Sequence, residues 1–293
     1  SFAGMTAFSK FDLFRGSLRH ILRSHSKAIG ANAMKIWYQA YNVSARVDPE
    51  WRYFEEAVAR YVPKIARPGT EIHFSWVERR APKMTISKYI QYLHVGQVIE
   101  SAIRAEREGF DAFVLGGMRD LGYAELREAV DIPVVFMGET SYLLACLLAP
   151  KFSLVHTDEV PLQDAMALIK KYGLDDRCLP GVHIGHSHTD LIAACESNPE
   201  RLIEEVKAAA RVAIRQGGAV LVMGFAAMSV FLAEQGIREI DGVPILDSQA
   251  AVIKAAEMMV DFRKLGMPKP RKGPLFDLSR EDIATARRRY GLP

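Results

Sequence analysis

The chain has 293 residues, 49% of them hydrophobic and 25% charged, with a formal net charge of +3. That length accommodates two ordinary domains or one large α/β domain, and the composition excludes a low-complexity chain. It also argues against a nucleic-acid partner: Lys10, Arg15, Arg19, Arg23 and Lys27 share their leader with one acid, Asp12, and leave the rest of the chain near neutral rather than basic on one face.

No apolar run is long enough to cross a bilayer. Cys146, Cys178 and Cys195 have no pairing pattern and read as reduced thiols, so a cytoplasmic protein is expected. Ser1–Gly4 reads as an expression scar ahead of Met5, and residues 1–33 as a basic N-terminal extension outside the fold. Its composition suits a transit peptide, a surface helix carrying Phe11, Phe14, Leu18, Ile21 and Leu22, or upstream sequence read from an early start codon.

From Met34 the elements alternate. A strand over 34–41 ends at Asn42-Val43-Ser44. An amphipathic helix over 50–65 follows, with Trp51, Phe54, Val58, Tyr61, Val62 and Ile65 on its apolar face. A strand over 71–77 runs into Glu78-Arg79-Arg80, and a long helix covers 88–108. The strand 111–115 leads to Gly117–Asp120. A helix over 121–129 precedes the strand 132–137, which ends in Gly138-Glu139-Thr140 before a helix over 141–148. The strand 152–155 closes on His156-Thr157. After a helix over 162–172, a weak strand over 180–185 leads to His186-Ser187-His188. The helix 199–216, capped by Asn198, precedes the strand 219–223, a helix over 228–235, the strand 244–246 with Asp247 behind it, a helix over 250–265 and a polar helix over 279–289.

Strands alternating with helices predict an α/β fold with parallel sheets. Residues 109–120 and 217–228 form a near-repeat, each a run of four apolar residues that ends on glycine, which suits strands buried on both faces. In such sheets ligands bind beyond the carboxyl ends of the strands. That rule selects Asn42, Ser44, Glu78, Arg79, Gly117, Met118, Arg119, Asp120, Gly138, Glu139, Thr140, Ser141, His156, Thr157, His186, His188, Phe225 and Asp247 as candidates.

Six stretches taken in order resemble the aspartate/glutamate racemase superfamily, in particular its hydantoin racemase branch: the first strand ending at Asn42-Val43-Ser44, residues 109–122, Asp131-Ile132-Pro133-Val134-Val135 into Gly138-Glu139, the run from Leu148 to Val155, residues 217–228, and Val243-Pro244-Ile245-Leu246-Asp247. The resemblance spans roughly residues 34–266. It implies two flavodoxin-like, Rossmann-like lobes with an active-site cleft between them. The first lobe would take 34–132 plus 243–293, and the second 135–242. It also implies a homo-oligomer, no organic cofactor, and substrates among small carboxylates, hydantoins and related cyclic amides. The family's racemases use two cysteines on opposite sides of the reacting carbon. Their places match Gly117 and Phe225 here, and neither can carry a proton. The remaining cysteines fall elsewhere in the chain, so the two-thiol mechanism is not expected.

Histidine is the residue type left to carry proton transfer, because imidazole titrates near neutral pH. His156, His186 and His188, with Glu139, are the expected catalytic groups. His183, His186 and His188 also lie close enough in sequence to ligate a divalent metal ion, which would polarise a carbonyl and activate water. Metal-free acid/base catalysis is the other reading of the same loop. Arg79 or Arg119 suits a substrate carboxylate. Asn42, Ser44, Thr140 and Thr157 suit an oxyanion, and the resemblance supports that role for Asn42, Ser44 and Thr157. Helix capping also explains Thr140. Phe225 suits stacking on a flat substrate. The expected activity is bond cleavage in a small carboxylate, cyclic amide or lactone, hydrolysis first and decarboxylation or another lyase step second. A racemase or isomerase with bases other than cysteine, and a non-catalytic ligand-binding protein, are the alternatives.

Overall fold

A computed structural model of the chain describes residues 33–81, 83–84, 87–269 and 278–292. The expectations for the leader therefore fall, apart from Ala33, outside the described residues.

The first sheet holds β1 (Met34–Val43), β2 (Thr70–Val77), β3 (Ala112–Leu115) and β4 (Val134–Phe136), in the spatial order β2-β1-β3-β4 with every pair parallel. Ala112, Phe113, Val114 and Leu115 have no exposed surface, as a central strand covered on both faces requires. Helices α1 (Arg52–Ile65), α2 (Lys88–Arg107) and α3 (Tyr123–Ala129) supply much of the cover. The pairing of β1 with β2 slips between Gln39 and Val43, and Tyr41 and Asn42 lie within the slip. Such irregularities redirect side chains at the end of a strand.

The second sheet holds β5 (Ser153–His156), β6 (Val182–His183), β7 (Leu221–Met223), β8 (Glu239–Ile240) and β9 (Val243–Leu246), in the order β6-β5-β7-β9-β8. All of its pairs are parallel except β8 with β9. Between its strands run α5 (Glu159–Lys171), α6 (His188–Ser197), α7 (Pro199–Arg215) and α8 (Ala226–Glu234). In α7 the buried residues Leu202, Val206, Ala210 and Ala213 recur every three or four positions and form the stripe that faces the sheet. Asn198 precedes this helix but makes no side-chain cap bond, so the expected cap is absent and Pro199 at the first position supplies the start signal.

Two expected lobe boundaries move. The first sheet runs on through Phe136, because Phe113, Val114 and Leu115 pair with Val134, Val135 and Phe136. The strand from Val243 belongs to the second sheet rather than the first, because Leu221 and Val222 pair with Ile245 and Leu246. The return to the first lobe comes one element later. Helix α9 (Ser248–Lys264) packs on β3, β4 and α4 (Met137–Leu148). There Gln249 accepts a hydrogen bond from the Tyr38 hydroxyl at 2.9 Å, and Glu257 accepts one from the Arg67 backbone N–H at 2.8 Å. The polar helix α10 (Arg280–Arg289) opens with a capping box between Ser279 and Asp282. Among the described residues no helix is long and apolar enough to cross a membrane.

Candidate active site

The carboxyl ends of β1, β3, β5 and β7 converge on a chamber of about 70 Å³. The first lobe contributes Tyr41, Asn42, Gly117 and Arg119, together with Trp51, which precedes α1, and Arg80, which follows β2. The second contributes His156, His188, Gly224 and Phe225. Beyond Arg119, His156 and Gly224 a wider hollow of about 280 Å³ opens, with Lys88, Asp164 and Lys171 on its wall.

Two glycines let the walls close. A Cβ on Gly117 would stand 2.1 Å from Tyr41 Cδ2, so the tyrosine ring occupies the space a side chain would need. A Cβ on Gly224 would stand 2.2 Å from His156 Cδ2, so the backbone of the β7 end lies against the imidazole.

His156 ends β5 and is buried. Its Nδ1 accepts the Thr157 backbone N–H at 2.8 Å, which assigns the ring proton to Nε2. Burial, then His188, Arg119 and His183, hold its pKa well below the ordinary histidine value. The ring is therefore a neutral N–H donor. His188 opens α6 and stacks on Phe225, with centroids 4.2 Å apart and planes at 19°. Its Nε2 is buried without a partner. Burial, then Arg119 and Arg80, lower its pKa to about 3. The two imidazoles lie 6.1 Å apart, centroid to centroid. Arg119 bonds Asp164 at 2.9 Å through Nη1 and leaves Nη2 unpartnered. Arg80 lies 4.8 Å over the Trp51 ring, with Asp48 at 3.9 Å.

Of the expected residues, Asn42, Gly117, Arg119, His156, His188 and Phe225 line the chamber. Thr157 stands behind it, fixing the His156 tautomer. The others are elsewhere. Glu139 is tied to Tyr123 and Arg127, both at 2.5 Å, and with Thr140 lines a separate apolar groove of about 460 Å³ between α4 and α9. Both sit inside α4 rather than in a loop, because the Asp120 carboxylate accepts the N–H groups of Gly138 at 2.9 Å and Glu139 at 2.6 Å and starts the helix early. Asp120 is thus an anchor for α4. Ser44 accepts the Arg46 N–H at 3.3 Å and belongs to a turn. Arg79 is exposed, and its neighbour Arg80 faces the cleft instead. The expected metal trio is not brought together: His183 Nε2 lies 3.2 Å from Glu159, His186 Nε2 lies 2.7 Å from Glu205, and His188 turns to Phe225. Among the described residues no group of three or more His, Cys, Asp and Glu side chains is placed to hold a metal ion. Phe225 lines the chamber and stacks on His188.

Trp51, Arg80 and Tyr41 were not among the expected site residues. Tyr41 sits in the irregular end of β1, and Trp51 reads as one more apolar residue of an amphipathic helix. Helix α6 was also missed. Its signal was Ser187 three residues ahead of Asp190, since the serine hydroxyl accepts the Asp190 N–H at 3.1 Å.

Two α/β lobes thus bring imidazole and guanidinium groups together beyond the carboxyl ends of their strands, where such folds bind small molecules. Residues 52–256 match the profile of the Asp/Glu/Hydantoin racemase family, and the chain belongs to that family. A hydantoin racemase from Pseudomonas sp. (strain NS671) is 34% identical over 203 residues, 68% of this chain and 78% of the relative. A hydantoin racemase from Paenarthrobacter aurescens is 30% identical over 211 residues, 70% of this chain and 85% of the relative. Among solved structures, the allantoin racemase from Klebsiella pneumoniae superimposes with a TM-score of 0.69 at 24% identity, covering 85% of this chain and 98% of that one. The allantoin racemase from Pseudomonas fluorescens gives 0.69 at 25% identity, covering 84% and 99%.

Proposed function

We propose that the protein is a racemase for a stereocentre next to a carbonyl in a small ring amide of the hydantoin type, with histidine doing the work of the family's thiols. Hydrolysis and decarboxylation, placed first on sequence, give way to this reading because both curated relatives are hydantoin racemases. The observation that carries it is the pair of buried, neutral imidazoles, His156 and His188, facing one chamber with two guanidinium groups.

Racemisation requires removal of a proton beside a carbonyl, which places negative charge on the carbonyl oxygen. In this scheme His188, neutral and unpartnered at Nε2, takes the proton. His156, its proton held on Nε2 by Thr157, donates a hydrogen bond to the oxygen, as a neutral imidazole does when its own ionisation is suppressed. His156 is the direct donor to that oxygen, and Arg80 and Arg119 add a positive field in a site of low dielectric. The developing anion also offsets the two guanidiniums, which favours imidazolium at His188. The Tyr41 ring covers the opposite face at Gly117, and its hydroxyl accepts the Leu121 N–H. Water entering the chamber supplies the second proton, and the hydroxide left behind takes the proton held by His188.

The test is circular dichroism of single enantiomers of 5-substituted hydantoins. His188→Ala is expected to lower kcat by at least a hundredfold, the usual contribution of a general acid or base. His156→Gln, which keeps a donor, should cost less than His156→Ala. Full activity in both His188→Ala and His156→Ala would overturn the reading.

A further inference from the structure

Three side-chain nitrogens on the first-lobe wall of the chamber are buried without a partner: Trp51 Nε1, Arg80 Nε and Arg119 Nη2. All three are obligate donors; indole and guanidinium nitrogens accept nothing. A buried donor with no acceptor is unfavourable, the more so when it is charged. No Asp or Glu among the described residues lines the chamber.

The two arginines are arranged alike. Each has an acid that does not line the chamber, Asp48 at 3.9 Å for Arg80 and Asp164 at 2.9 Å for Arg119, and each keeps one buried nitrogen without a partner. They follow β2 and β3, the strands on either side of β1, so they flank Tyr41 and Asn42 at its end. The Trp51 ring beneath Arg80 limits where that guanidinium can lie. Burial lowers the pKa of both arginines by more than Asp48 and Asp164 raise it.

We infer that Trp51, Arg80 and Arg119 form a carboxylate-binding subsite, and that the substrate is a ring amide bearing a carboxylate rather than a neutral hydantoin. The inference rests on the racemase reading for the ring and on the three free donors for the carboxylate. A carboxylate supplies acceptor lone pairs for all three donors and the missing negative charge. A neutral alkyl or aryl substituent would leave the three nitrogens unpaired, and sites built with buried donors reject analogues that lack the acceptor.

The test compares 5-(carboxymethyl)hydantoin with its neutral isostere, 5-(carbamoylmethyl)hydantoin, by kcat/KM for racemisation and by calorimetric binding. The carboxylate is expected to be preferred at least tenfold. Arg80→Gln should reduce that preference at least tenfold, and Trp51→Phe, which keeps the ring and removes the N–H, should reduce it by a smaller factor. Trp51→Phe also serves if Arg80→Gln does not fold. Tight, Arg80-dependent binding of the carboxylate without turnover would support the subsite and sink the racemase reading. Equal turnover of both compounds, with a ratio unmoved by either substitution, would overturn the subsite and leave the racemase reading standing. Failure to bind the carboxylate at all would overturn the subsite as well.

Discussion

At the level of single residues the proposed racemisation turns on His188 and Gly117. The His188 imidazole, lowered to about 3, takes up protons in the unfolded chain near its ordinary value but not in the folded one. Its contribution to stability is therefore complete above an unfolded pKa of about 6.5 and is lost as pH falls toward 3, at up to roughly 1.4 kcal/mol per pH unit. Denaturant titrations between pH 7 and 4 should show stability falling with pH, and His188→Gln should flatten the fall. An unchanged slope would contradict the burial assigned to this ring. Gly117→Ala must displace the Tyr41 ring, whose Cδ2 would meet the new Cβ at 2.1 Å. Overpacking of this kind costs about 1–3 kcal/mol. Combined with Tyr41→Ala, the two losses should be less than additive. The same overlap applies to a cysteine introduced at 117, which has no room while Tyr41 stands there.

Among the elements, α4 shows how much of a site can be read from sequence and where reading stops. The strand ends were legible: apolar runs ending on glycine recur at 109–120 and 217–228 and lead to Gly117 and Phe225, and the strand over 152–155 leads to His156. The start of α4 was not, because its cap comes from Asp120, 18 residues upstream of Gly138. Without that contact Glu139 reads as a loop residue at a strand end, which is why it was expected in the site. Arg79 failed for another reason. Beyond β2 a shift of one residue changes the face a side chain takes, and Arg80 is the one turned inward. Asp120→Ala should cost about 1–3 kcal/mol and speed amide exchange at Gly138 and Glu139, since it strands both N–H groups and the Tyr172 hydroxyl, 2.8 Å from the carboxylate. Exchange rates that stay unchanged would contradict its role as anchor.

At the scale of the whole molecule, the two sheets are joined at the β9–α9 junction. Leu246 pairs in the second sheet, and two residues later α9 begins its run across the first, burying Val252, Ile253, Ala256 and Val260. With that much apolar surface fixed between β9 and the first sheet, the lobes should unfold together. Calorimetry is expected to give one transition, and two resolved transitions would contradict it. The junction also keeps His188 and Phe225 of one lobe opposite Tyr41 and Arg80 of the other, the juxtaposition on which the proposed racemisation depends. That dependence is tested most directly by incubating a single hydantoin enantiomer with the protein in D₂O and following deuterium at the stereocentre by NMR. The account predicts enzyme-dependent uptake of deuterium alongside loss of optical rotation, both abolished by His188→Ala. Racemisation without deuterium uptake, or uptake that His188→Ala leaves unchanged, would contradict it.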